Sequence, residues 1–106
     1  MISRRGKYYY VYIVASINRV IYIGFTDCLW LRVKEHKEGK FDNAFSKRYK
    51  TNKLVYWEYY DNCNGAFQRE RQIKKWNRNK KVLLIEKNNP NWLDLYNDSM
   101  ILSSLK

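Results

Sequence analysis

The chain has few of the residues that build disulfide frameworks, zinc sites or flexible linkers. Its 106 residues include only two cysteines, one histidine, four glycines and one proline. Cys28 and Cys63 cannot form a disulfide framework, and with a single histidine they cannot complete a Cys/His zinc site without a carboxylate. We therefore expect both cysteines to be reduced thiols inside a cell.

Long apolar runs, glycine-rich phosphate motifs and internal repeats are also missing. No apolar stretch approaches the roughly 18 residues that span a bilayer, so we expect a cytoplasmic protein rather than a membrane or secreted one. Without a Walker-type or dinucleotide-binding glycine motif, and with one histidine, nucleotide-binding and two-histidine metal enzymes find little support. No Gly/Ser-rich linker divides the chain, which predicts a single domain over residues 1–96 and a frayed tail over residues 97–106.

What the sequence has in excess is positive charge. It carries 21 lysines and arginines against 10 aspartates and glutamates, a formal net charge of +11, with 17% aromatic residues. Cations interleaved with aromatic rings suit phosphate contact together with base stacking. Nucleic acid is therefore the expected partner, although small basic proteins also bind RNA without doing chemistry. The expected contacts are Lys47, Arg48, Arg69, Lys74 and Lys75.

Alternating and helical patterns predict a mixed α/β (α+β) domain, in which a three-stranded, mainly antiparallel sheet is flanked by three to five helices. Asp27 is the expected N-cap of the first helix. Trp92, Leu93 and Leu95 are expected to pack back on the domain after Pro90. The predicted strands are Tyr8 to Ala15, Val20 to Phe25 and Leu54 to Tyr60. The predicted helices are Cys28 to Glu38, Asp42 to Tyr49, Ala66 to Asn77 and Lys80 to Lys87, with a turn from Asp61 to Gly65 before the third.

The first two strands form a hairpin whose register follows from keeping one apolar face together. Pairing Ile13 with Ile21 aligns the apolar residues of both strands, which are Val11, Ile13 and Ala15 on one strand and Ile21, Ile23 and Phe25 on the other. The same register sets Tyr12 opposite Tyr22 and Tyr10 opposite Gly24. A phosphate is then expected to approach closely at Gly24, which has no side chain.

Three polar residues fall on helix faces that should be apolar. Helical stepping puts Arg32 and His36 on the stripe that also carries Leu29 and Val33, and it puts Glu70 on the stripe of the basic helix. A structural explanation is that Arg32 lays its stem along the core and that Glu70 forms a salt bridge, either to Arg32 or to a residue one turn away, Lys74. The functional explanation is a site for phosphoryl transfer, or a metal site at Glu70.

These residues resemble the GIY-YIG nuclease family, which is named after two short strand motifs. The second motif is present as Tyr22-Ile23-Gly24, and the first is present in a degenerate form as Tyr10-Val11-Tyr12, with Tyr10 in place of the usual glycine. The family's helix arginine, helix histidine, metal-binding glutamate and terminal asparagine match Arg32, His36, Glu70 and Asn89, with Asn88 and Asn91 as competitors for the last. The chain is most similar to the small single-domain branch related to the nuclease domain found in excision repair.

The resemblance implies a role for each site residue. Glu70 would hold one divalent cation, Mg²⁺ or Mn²⁺, and Arg32 would bridge phosphate oxygens. Tyr12 would activate the attacking water, but a free phenol with a pKa near 10 is a poor base at pH 7. It would need a lowered pKa or a proton relay through His36, which otherwise only orients it. Tyr22 would position the phosphate or the metal-bound water.

Three hypotheses follow. The first is a metal-dependent DNA endonuclease, non-specific or structure-selective, that takes any sequence preference from this domain, a homodimer or a protein partner. The second is a non-catalytic basic domain that binds nucleic acid. The third is an interaction module in which Glu70 and Arg32 form a buried ion pair. The first is favoured because an unneutralised carboxylate at Glu70 would repel phosphate.

Overall fold

The computed structural model describes residues 8–40 and 44–96. Within these residues no helix is both long and apolar enough to cross a membrane. The elements in chain order are β1 (Tyr9–Ala15), β2 (Ile21–Thr26), α1 (Leu29–Lys37), α2 (Ala44–Tyr49), β3 (Lys53–Tyr60), α3 (Cys63–Lys75) and α4 (Arg78–Glu86).

The three strands form one sheet in the order β2-β1-β3, and both strand pairs are antiparallel. The central strand β1 is buried from Val11 to Ala15, as expected for a strand with a neighbour on each side and helices over both faces. The described residues thus confirm the predicted mixed α/β class with a three-stranded antiparallel sheet, accompanied by four helices.

The predicted hairpin register is wrong by two residues. Ile13 lies opposite Ile23, and Tyr12 lies opposite Gly24. The turn is longer than the sequence pattern suggested, because the Ser16 N–H donates to the Val20 carbonyl at 2.9 Å and leaves three residues outside the ladder, the last of which, Arg19, has a φ of 64°. A shift of two residues keeps every side chain on its own face, so the predicted faces are confirmed although the partners change.

Each face of the sheet carries its own apolar core. On one face, Val11, Ile13 and Ile23 pack with Ala66 and Ile73 of α3, and Ile85 of α4 joins the same cluster. On the other face, Tyr12 and Val14 pack with Leu29, Trp30 and Val33 of α1. The site tyrosine is therefore part of a core, and α1 and α3 lie on opposite sides of the sheet.

The N-terminal ends of several helices differ from the predicted ends. The predicted N-cap Asp27 is replaced by Cys28, whose side chain makes no capping bond. The turn predicted from Asp61 to Gly65 instead contains the start of α3, because the Asn62 side chain accepts a hydrogen bond from the Gly65 N–H at 2.6 Å. Asn77 caps α4 in the same way. The predicted start of α2 at Asp42 and the predicted frayed tail from Asn97 lie outside the described residues.

The segment after α4 is held by one buried amide. The Asn89 side chain donates to the carbonyls of Val55 and Leu93 at 3.0 and 2.9 Å and accepts from the Leu93 N–H at 2.9 Å. This turn seats Trp92 in the core, as predicted, whereas Leu93 is 62% exposed and Leu95 is 36% exposed, contrary to the prediction. Asn89 therefore joins the C-terminal segment to β3.

Replacing Asn89 by alanine is expected to lower the free energy of unfolding by about 2–4 kcal/mol, because the buried carbonyl of Val55 and the Leu93 backbone lose their partner. Urea unfolding followed by circular dichroism measures this change. Asn91→Ala is the control, since Asn91 is exposed two residues away. Equal stability of the two variants would show that the amide does not hold this segment.

Candidate active site

The glycine of the second motif makes room for the tyrosine of the first. Gly24 lies opposite Tyr12, and a Cβ atom built on Gly24 would lie 2.8 Å from Cε1 of the Tyr12 ring and closer still to Cζ and the hydroxyl. The space above Gly24 is thus filled by a phenol ring. This corrects the expectation that a phosphate approaches the backbone there, beside Tyr10.

Tyr12 and His36 meet beneath α1. The Tyr12 hydroxyl lies 3.1 Å from Nε2 of His36, and both side chains are buried. The Tyr22 ring centroid is 5.5 Å from that of His36, within the range of aromatic contact. The fold therefore brings both motif tyrosines to the one histidine of the chain, from two strands and a helix.

Burial sets the protonation of these groups. It lowers the pKa of His36 to about 4, with the positive charge of Arg32 adding to the effect, so the imidazole is neutral at pH 7. Burial also raises the pKa of Tyr12, and the neighbouring Tyr22 adds to this rise, while Arg32 opposes it through its charge and a hydrogen bond. At pH 7 the pair is therefore a neutral phenol beside a neutral imidazole, and Nε2 accepts a hydrogen bond from the phenol when the imidazole carries its proton on Nδ1.

Arg32 supplies the positive charge of the site. Its Nε pairs with Glu35 Oε1 at 3.1 Å, one helical turn away, and its side chain is about a quarter exposed. Burial raises the pKa of Tyr12 and of Tyr22 and lowers that of His36, and the charge of Arg32 opposes the first two shifts and adds to the third. The guanidinium thus combines proximity to the phenols with access to solvent, which a phosphate ligand would need.

Glu70 approaches from α3. Its side chain is 14% exposed and forms an ion pair with Lys74 at 3.3 Å, the salt bridge within the helix that the sequence allowed. The carboxylate raises the pKa of Tyr12 and, after burial, is the main cause that raises the pKa of Tyr22. Glu70 therefore belongs electrostatically to the same site as the two tyrosines.

The donor set fits a single, mostly hydrated cation. Among the described residues there is no group of three or more His, Cys, Asp or Glu side chains that could hold a metal between them. Glu70 offers one hard carboxylate oxygen on a partly buried face, and its partner Lys74 is half-exposed. Mg²⁺ characteristically takes one or two protein carboxylates and fills its remaining positions with water and phosphate.

Two of the five predicted nucleic-acid contacts form ion pairs with glutamates. Lys47, Arg48 and Lys75 are exposed. Lys74 is paired with Glu70, and Arg69 donates from Nε to Glu58 at 3.0 Å. Asn89 makes the packing bonds described above.

Sequence reasoning missed a polar cluster around Glu58. Its carboxylate accepts from the hydroxyls of Tyr56 and Tyr60 as well as from Arg69. Burial and the Glu58 carboxylate raise the pKa of Tyr60 to about 12. The signal that could have found this cluster is the alternation of residues 56, 58 and 60, which places three polar side chains on one face of a strand.

Gly24→Ala is expected to destabilise the protein by about 1–3 kcal/mol and to separate Tyr12 from His36, because the new methyl group overlaps the buried ring. Chemical denaturation gives the stability, and the histidine ring resonances report the lost contact. Gly65→Ala is the control, since its Cβ would meet no atom closer than 3.2 Å. Unchanged stability and unchanged resonances in Gly24→Ala would contradict this packing.

His36 is expected to titrate near pH 4, and its two-dimensional NMR signals are unambiguous in a chain with one histidine. The unfolded chain takes up this proton near pH 6.5 and the folded chain does not. Stability is therefore complete above pH 6.5 and falls by about 3 kcal/mol as the pH drops from 6.5 to 4. In His36→Gln this component of the pH profile should vanish, and a midpoint near 6.5 in the wild type would overturn the assignment.

Comparison with known proteins shows which family the chain belongs to. Residues 8–82 match the family model of the GIY-YIG catalytic domain. A UPF0213 protein of Syntrophus aciditrophicus is 38% identical over 79 residues, which are 74% of this chain and 91% of that protein. One of Haloquadratum walsbyi is 38% identical over 82 residues, 76% of this chain and 90% of that protein.

The fold is also similar to that of a solved relative. The solution NMR structure of a UPF0213 protein from Bacillus halodurans matches with a TM-score of 0.51 over 82% of this chain and 92% of that one, at 24% identity. GIY-YIG domains are generally endonucleases that act on nucleic acid and use divalent metals, whereas the names of these relatives state no activity. The chain belongs to the GIY-YIG family, in the small single-domain group that its UPF0213 relatives represent.

Proposed function

We propose that the protein is a metal-dependent endonuclease that hydrolyses DNA phosphodiester bonds, with either no sequence preference or a preference for structure. The observation that carries this proposal is the hydrogen bond between Tyr12 and a neutral His36, with Arg32 and Glu70 acting on the same phenol. Hydrolysis needs a group that takes the proton of water, a cation beside the phosphate and help for the departing oxygen.

The proton path starts at Tyr12. Because burial raises its pKa, the phenol does not become a phenolate at pH 7 by itself. His36 is neutral, and Nε2 accepts the phenol proton when the tautomer carries its own proton on Nδ1. As the attacking water gives its proton to the Tyr12 oxygen, that oxygen passes the phenol proton to Nε2. A relay of this kind avoids a free phenolate, and it favours the shuttle role of His36 over a purely orienting one.

Negative charge develops on the phosphate oxygens during hydrolysis. Arg32 and a cation held by Glu70 would stabilise it. Arg32 has a planar fork of donors, suited to two phosphate oxygens, and it contacts the Tyr12 hydroxyl as well. Glu70 would hold a divalent cation, which when bound supplies Lewis-acid stabilisation of the phosphate and the leaving oxygen. Lys74 keeps the carboxylate paired at 3.3 Å and would have to turn outward, toward solvent or a neighbouring phosphate. Tyr22 packs on the same face of the sheet as Tyr12 and would position the phosphate.

Cleavage of labelled single- and double-stranded DNA with Mg²⁺ or Mn²⁺ tests the proposal. Glu70→Gln keeps the size of the side chain and removes its charge, so the cleavage rate should fall by about 100-fold or more. EDTA should abolish cleavage by the wild type. Asp61→Asn is the control, because it also removes one negative charge from an acidic residue, here an exposed one before α3, and it should cleave like the wild type.

The outcomes separate the competing hypotheses. Cleavage that persists in Glu70→Gln or in EDTA would overturn the metal-dependent mechanism. Salt-sensitive binding without cleavage under any metal would indicate the non-catalytic basic domain instead. Thermal unfolding of both variants guards against a loss of activity that reflects misfolding.

A further inference from the structure

A row of aromatic rings leads from the candidate active site onto the surface of α2. The Tyr22 ring, which contacts His36, lies 6.4 Å from the Phe45 ring, and Phe45 lies 4.8 Å from Tyr49. The guanidinium of Arg48 lies 5.5 Å from the Tyr49 ring. We call Phe45, Tyr49, Lys47 and Arg48 the α2 platform.

The platform is accessible and positively charged. Phe45 is 43% exposed and Tyr49 is 41% exposed, although both are large apolar rings. Lys47 and Arg48 are exposed on the same short helix, and the first turn of that helix has no acidic residue. Exposed rings beside cations attract a ligand that is both flat and anionic.

A cavity joins the platform to the site. It has a volume of about 340 Å³, and its wall includes His36, Asn52, the lysines Lys37, Lys47 and Lys50, and Glu38. Its size lies within the range of natural ligand pockets, and its wall sets three lysines against one glutamate beside the histidine that contacts Tyr12. A sugar-phosphate unit entering this cavity would pass from the α2 platform to the reacting centre.

We propose that the α2 platform and this cavity bind a single-stranded segment of the substrate next to the scissile phosphate, with its unpaired bases stacked on Phe45 and Tyr49. In a duplex the base faces are covered by neighbouring base pairs, so only unpaired bases can offer a face to these rings. Stacking of this type depends little on base identity, because every base has such a face. The substrate class is therefore nucleic acid with an unpaired segment, such as a free single strand, a flap or a frayed end.

This inference rests on the proposed function, because that function says where the scissile phosphate lies relative to the α2 platform. The test measures binding alone. The full chain with Glu70→Gln, in EDTA, is titrated with a fluorescently labelled 15-nucleotide oligothymidine and with a duplex of the same length. Phe45→Ala and Tyr49→Ala should each weaken single-strand binding by about 5- to 100-fold and change duplex binding by less than about twofold.

Matched controls come from rings elsewhere on the surface. Phe67→Ala removes a phenylalanine that is 41% exposed on α3, and Tyr59→Ala removes a tyrosine that is 60% exposed on β3. Both should bind single strands like the parent. Equal losses in the control and platform variants, or no loss in the platform variants, would overturn the proposal.

Two further readouts distinguish stacking from a change of fold or charge. 2-Aminopurine in the oligonucleotide should lose fluorescence on binding, and this quenching should disappear in the Phe45→Ala/Tyr49→Ala double variant at saturating protein. The salt dependence of binding should keep its slope in the ring variants, whereas Lys47→Ala should reduce the slope by about 0.7. Persistent quenching in the double variant would place the bases elsewhere and overturn the proposal.

Because no cleavage is measured, the two proposals fail independently. A protein that binds single strands through the α2 platform but never cuts DNA would keep this inference and lose the nuclease. A protein that cuts DNA with unchanged single-strand affinity after loss of both rings would keep the nuclease and lose this inference.

Discussion

The contact of Tyr12 with Gly24 and His36 is the constraint on which the candidate site depends. The ring lies above a glycine because any larger residue would overlap it, and its hydroxyl then reaches Nε2 of His36 on the helix above. The same ring is part of the core that α1 makes with the sheet. The packing of the domain therefore also fixes the Tyr12 hydroxyl beside His36.

Burial shifts the pKa values of the two partners of that hydrogen bond in opposite directions. It makes the imidazole a neutral acceptor and makes the phenol hold its proton, because both charged forms lose hydration in the core. The permanent charge of Arg32 moderates this effect on the phenol and strengthens it on the imidazole. One arginine therefore makes the Tyr12 proton easier to remove and makes His36 a weaker base.

Two polar clusters outside the candidate site link β3 to neighbouring segments. Glu58 joins two tyrosines and Arg69 between β3 and α3, and Asn89 ties the C-terminal segment to β3. The polar groups are partly buried around Glu58 and buried at Asn89, and in both clusters they hydrogen-bond to one another or to backbone groups, which offsets the penalty of burying them. Arg69, which was predicted to contact nucleic acid, forms an ion pair with Glu58 in the first of these clusters. Lys47 and Arg48 on α2 are exposed.

The sequence by itself determined the class of the fold, the faces of the strands and the family, since these depend on residue periodicity and on short motifs. It predicted that Tyr12, Tyr22, Arg32, His36 and Glu70 lie inward. Tertiary structure alone decided which partners they meet. The hairpin register depended on the length of a turn with Arg19 at positive φ, and that register set Gly24 under Tyr12 rather than beside Tyr10. The pairing of Glu70 with Lys74, the depth of His36 and the row of rings from Tyr22 to Tyr49 likewise follow from distances between elements, which no local pattern encodes.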